Sequence, residues 1–111
     1  MGIDEALKRE IVRRVLTVAQ PDRIILFGSA ATGGMNEDSD IDLLVLEQAP
    51  DNTVEESVRI RSSLRGLGHP IDVIVISTEQ FEETKDLFGG IAYPAHKFGT
   101  VLYEASGSRA A

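Results

Sequence analysis

Arg23-Ile24-Ile25-Leu26-Phe27-Gly28-Ser29, ten further residues, then Asp40-Ile41-Asp42-Leu43-Leu44-Val45-Leu46-Glu47 is the stretch that decides the fold. The first apolar run is short, rich in β-formers and ends at a glycine, which predicts a strand closing in a turn. A glycine-serine turn after a strand can offer backbone N–H groups and a hydroxyl to phosphate oxygens. The second run predicts a strand over 40–47 that carries two aspartates at i and i+2. Alternation along a strand places Asp40 and Asp42 on one face, where together they can hold a divalent cation. A phosphate cradle beside paired carboxylates reads as a metal-dependent nucleotide site.

Outward from this core, residues 3–19 place Ile3, Leu7, Ile11, Val15 and Leu16 at helical spacing. Asp4 and Glu5 lie in the first turn, where the helix dipole favours acids. Gln20-Pro21-Asp22 ends this helix. Arg9, Arg13 and Arg14 are read as a solvated helix face. Residues 29–32 suggest a short helical turn, and 33–38 a loop. Pro50-Asp51 breaks the second strand and offers Asp51 or Asn52 as the cap of a helix over 53–67, stopped by Gly66, Gly68 and Pro70. A third strand covers 71–76. Ser77 with Gln80 resembles a capping box opening a helix over 78–88. A helical piece over 91–98 and a closing strand over 100–104 complete the chain. Helices alternating with strands indicate an α+β or α/β sandwich around one sheet. The domain is expected over 1–104, with 105–111 a flexible tail.

Asp72 begins the third strand. If the strands at 40–47 and 71–76 are neighbours, Asp72 reaches Asp40 and Asp42. Carboxylates about 4 Å apart repel by about 4 kcal/mol per pair at an effective dielectric of about 20, so such a cluster calls for a cation or a proton. Oxygen-only ligands favour magnesium or manganese. Both faces of the strands are apolar, which requires cover on both and leaves room for a protein partner beside the site.

Composition narrows the classes. The chain has 111 residues, 42% hydrophobic and 26% charged, with a formal net charge of −7. An acidic surface disfavours autonomous nucleic-acid binding and suits a basic protein partner. The absence of cysteine excludes disulfides, thiolate metal sites and cysteine nucleophiles. No apolar run approaches the ~18 residues of a membrane span, and the start lacks a basic leader, so a cytoplasmic location is expected. Gly2 does not signal myristoylation, because Ala6 stands where Ser or Thr is required.

The segment Phe27-Gly28-Ser29…Ser39-Asp40-Ile41-Asp42-Leu43-Leu44-Val45 closely resembles the signature of the DNA polymerase β-like nucleotidyltransferase superfamily, and within it the minimal nucleotidyltransferases (MNT). The resemblance runs from the first helix to Val101-Leu102-Tyr103-Glu104. It implies a palm-like mixed sheet with helices packed mainly on one face. Gly28 and Ser29 would hold nucleotide phosphates, Asp40 and Asp42 would bind Mg²⁺ or Mn²⁺, and Asp72 would be the third carboxylate. It further implies ATP as donor and a helical HEPN-type toxin as partner in a hetero-oligomer. The chain would act as antitoxin by transferring AMP to a toxin hydroxyl, with tyrosine the expected acceptor. The alternative is a non-catalytic antitoxin that neutralises its toxin by complex formation. One departure stands out. Family members often carry a Gly-Ser-Arg-x-Arg-Gly turn, and here Ala30 and Thr32 occupy the basic places. Phosphate charge must then be met by metal, by backbone amides or by arginines from elsewhere, such as Arg61 or Arg65.

Overall fold

The computed structural model describes residues 4–28 and 40–105. Their elements are α1 (Glu5–Val18), β1 (Arg23–Phe27), β2 (Ile41–Glu47), α2 (Thr53–Ser63), β3 (Ile71–Ser77), α3 (Thr78–Thr84), α4 (Ala92–Phe98) and β4 (Thr100–Glu104). Ile3, the turn at 29–32 with Ser29, Ala30 and Thr32, the loop at 33–38 and residues 106–111 lie outside the described residues.

Side-chain caps set the starts of three helices. Asp4 accepts from the Leu7 N–H at 2.8 Å, Asn52 from Glu55 at 3.0 Å and Ser77 from Gln80 at 2.9 Å. Each such cap is worth about 1 kcal/mol. Two helices stop earlier than their sequence patterns suggest. In α2, the Leu64 N–H turns back to the Arg61 carbonyl, and Gly66 and Gly68 follow at φ +84° and +90°. In α3, the Leu87 N–H closes onto the Thr84 carbonyl before Gly89 at φ +96°. Both endings tighten into three-residue bonds and exit through left-handed glycines.

The sheet order is β3-β2-β1-β4. β1 runs antiparallel to β2 and β4, whereas β3 lies parallel to β2. The parallel pair needs a crossover, and α2 provides it. Alternation along the strands then builds two cores. Ile24, Leu26, Ile41, Leu43 and Val45 pack against Ile11 and Val15 of α1 and Ile60 of α2. On the opposite face Ile25, Leu44, Leu46 and Ile76 pack against Phe81 of α3 and Ala92 and Ala95 of α4. The two long helices thus share one face, and two seven-residue helices cover the other. Arg14 departs from the expected solvated face. Its guanidinium pairs with Glu10 and donates to the Arg65 carbonyl at 2.6 Å, tying α1 to the end of α2. Free carbonyls after a helix are natural partners for a cation.

Cover on the second face is incomplete. Leu44 is fully buried, yet Ile74 on the same face of the neighbouring strand remains 38% exposed. Asp42 and Asp72 share that face, at the open end of the sheet. Replacing Leu44 by Ala should cost about 2–5 kcal/mol in urea unfolding, and Ile74→Ala less, because only the first leaves a closed cavity. Equal losses would contradict the uneven cover.

Candidate active site

Strand pairing brings the candidate residues together. Asp42 and Asp72 are direct partners across the parallel β2–β3 ladder. Neighbouring strands lie about 4.8 Å apart, and partners project to the same side. On the other flank Asp42 is the partner of Phe27, the last residue of β1. Asp40 stands two residues before Asp42, just ahead of β2. Asp40 and Asp72 are exposed and Asp42 is half-buried.

Gly28 completes the inner wall. It follows Phe27 with φ +78°, a backbone region that side chains rarely adopt. A Cβ built on it would stand 2.5 Å from Oδ2 of Asp42. The Asp42 carboxylate therefore rests against the turn backbone, in space only glycine leaves. Ser29, the other half of the expected cradle, lies outside the described residues.

The electrostatics follow from this placement. Burial raises the Asp42 carboxyl above its ordinary value, and the negative charges of Asp72 and then Asp40 push it further. Among the described residues, no group of three His, Cys, Asp or Glu side chains is arranged to hold an ion as it stands. Asp40, Asp42 and Asp72 sense one another's charge without forming a ready-made cage, as mutual repulsion would dictate. The donor set itself fits a hard divalent cation: it is all carboxylate oxygen, with a backbone turn alongside.

A cavity of about 360 Å³ adjoins this cluster, between the end of α2 and the start of β3. Arg61, Arg65, His69 and Asp72 line it. The two arginines come from beyond the glycine-serine turn and reach the same corner as Asp72. The Nδ1 atom of His69 is buried without a hydrogen-bond partner. In sequence His69 stands close to Asp72, but a histidine before a proline reads as ordinary loop composition and takes no role from that alone. Its place here comes from the glycine-rich exit of α2, which folds the chain back beneath Asp72. His96 lies elsewhere, edge-on to Phe81 with ring centroids 6.1 Å apart.

Comparison with known proteins bears on the fold and the family. A search of curated proteins by sequence finds no match. Solved structures do match in fold. A candidate nucleotidyltransferase from Sulfolobus solfataricus superposes with a TM-score of 0.61 at 22% identity, over 89% of this chain and 78% of that one. A toxin–antitoxin complex with AMP-PNP gives 0.59 at 22% identity, over 88% and 73%. A tri-AMPylated Shewanella oneidensis HEPN toxin in complex with MNT antitoxin gives 0.54 at 18% identity, over 93% and 74%. The nucleotidyltransferase domain family model matches residues 6–96. With that span covering both the Gly28 turn and the Asp42–Asp72 pair, the chain belongs to the nucleotidyltransferase domain family.

Proposed function

We propose that this chain is a magnesium-dependent adenylyltransferase that takes AMP from ATP and places it on a hydroxyl, with tyrosine the expected acceptor, of a helical HEPN-type toxin in the cytoplasm. The observation that carries the reading is the Asp42–Asp72 register closed on one side by Gly28. Two fold neighbours are toxin–antitoxin complexes, one holding a triphosphate analogue and one an AMPylated toxin, which supports the same assignment.

Roles follow from position. Asp40 and Asp42, with Asp72, would hold Mg²⁺ or Mn²⁺. The cation would neutralise charge on the triphosphate. The Gly28 backbone and the Ser29 hydroxyl hold phosphate oxygens. Asp72, exposed at the rim, orients the acceptor hydroxyl and accepts its proton. The acceptor oxygen forms a bond to the α-phosphorus, the bond from that phosphorus to the β-phosphate oxygen breaks, and pyrophosphate leaves. Arg61 and Arg65 supply the positive charge that Ala30 and Thr32 do not.

A second reading is favoured by those same two residues: a chain that silences its toxin by binding alone. Leu87 and Phe88 in the α3–α4 connection and Phe98 at the end of α4 are 59%, 86% and 59% exposed, apolar area that a protein partner could cover. Mass spectrometry of the co-expressed toxin after incubation with ATP and Mg²⁺ separates the readings. A 5′-AMP adduct is expected; a tight complex without modification would favour the binding module.

Three variants probe the chemistry. Asp42→Asn should abolish AMP transfer and remove the rise in melting temperature that Mg²⁺ gives the wild type; full residual transfer would exclude the mechanism. Gly28→Ala should leave a folded protein whose turnover falls on the order of 100-fold, since a Cβ there displaces the Asp42 carboxylate. Arg61→Ala with Arg65→Ala should raise KM for ATP with kcat largely kept, the pattern of lost uniform binding. An unchanged KM would remove both arginines from the site.

A further inference from the structure

At the opposite end of β2, five residues and about 17 Å from Asp42, a second carboxylate group has no part in the proposed transfer. Glu47 closes β2, and its side chain stands at the mouth of α2. Only 8% of Glu47 is exposed, and its Oε2 is buried without a hydrogen-bond partner. It lines a cavity of about 460 Å³ together with Asp51, Asn52, Glu55, Glu56 and Arg59.

Glu55 and Glu56 have a local reason to be there, because the first turn of α2 favours acids. Glu47 has none. Its carboxyl is raised to about 7, first by burial and then by the hydrogen bond to Glu56 and the charge of Glu56. Arg59 opposes them, whereas Asp22, itself buried and bonded to the Thr78 hydroxyl, adds to the rise. Such a group keeps its proton in the folded chain where the unfolded chain has lost it. Stability therefore falls as pH rises from about 4.5 to about 7, and a cation bound at Glu47 would reverse the loss. An apolar residue or a glutamine would fill this position at less cost.

We propose that the cavity at Glu47 is a binding site for an extended organic cation, a guanidinium or polyamine. Four carboxylates face a single guanidinium there, that of Arg59, which already pairs with Glu56. The wall thus accepts a planar cation, and most of its negative charge is still unmatched. A bare metal ion fits less well: among the described residues no three donors are arranged around one point, and the space is far larger than an ion needs. The cation's N–H groups pair with the carboxyls lining the wall, and Glu47 releases its proton to solvent as the cation enters.

Titration calorimetry at pH 6.5 tests this with two probes, spermidine and a short arginine-glycine peptide. Saturable one-site binding with release of about three-quarters of a proton, the share a carboxyl raised to about 7 still holds at this pH, is expected for at least one probe. Binding by spermidine identifies a free polyamine as the ligand; binding by the peptide alone identifies a partner's side chain. Glu47→Gln should weaken binding about tenfold, the loss of one charge-assisted hydrogen bond. Glu79→Gln, at an exposed carboxylate on α3, should leave it within about twofold, which separates the site from general attraction to an acidic protein. Asp42→Asn should also leave it unchanged. If Glu47→Gln fails to fold, Asp51→Asn with Glu55→Gln at the cavity rim should weaken binding to a similar degree. Absence of saturable binding for both probes overturns the proposal, as does binding as tight as the wild type's by the Glu47→Gln and rim variants.

Discussion

The site depends on the register of one parallel strand pair. β2 and β3 align Asp42 with Asp72, and they stay aligned because both strands bury their other face. A slip of β2 by one residue would turn Ile41 and Leu43 out of the α1–α2 core and drive Asp40 and Asp42 into it. The cost of burying two charged carboxylates among aliphatic side chains forbids that alternative. The hydrophobic core therefore specifies the position of the charges. α2 is the physical link, since it bridges the two strands and packs Ile60 against the core that holds them.

The uneven cover of the sheet has a functional logic. The long helices bury most of one face, whereas α3 and α4 bury Leu44, Leu46, Ile76 and Ile25 on the other and leave Phe27 half-buried. The end of the sheet carrying Asp42 and Asp72 stays open, as the proposed transfer to a bulky acceptor requires. Charge is then supplied from the side. Arg61 arrives on the last turn of α2 and Arg65 just beyond its end, held near by the Arg14 bond to the Arg65 carbonyl.

Much of this was legible in the residues. The apolar run before Gly28, the Asp40-Ile41-Asp42 start of β2 and the Pro-bounded start of β3 marked the strands that matter. Asp72 could reach Asp42 only if the strands at 40–47 and 71–76 were neighbours, and the ladder makes them so. Helix lengths were less legible: the periodicities of α2 and α3 run on past Ser63 and Thr84, and only the backbone bonds at Leu64 and Leu87 show where each ends. The arginines of α1 read as solvated because sequence spacing carries no sign of carbonyls left free by a distant helix. Glu47 was invisible for a related reason. A glutamate closing a strand looks like surface polarity, and only tertiary packing shows its oxygen buried and unpaired.

Two carboxylate groups thus sit at opposite ends of β2, and they differ in kind. One is open, all-oxygen and beside a phosphate-type turn; the other is recessed and partly protonated. Paramagnetic line broadening by Mn²⁺ in a nitrogen-15 correlation spectrum distinguishes them in one experiment. The account predicts early loss of the Gly28, Asp40–Leu43 and Ile71–Val73 amide signals, with those of Glu47 and Asp51–Glu56 retained. Broadening centred on Glu47, or spread evenly over the acidic surface, would contradict it.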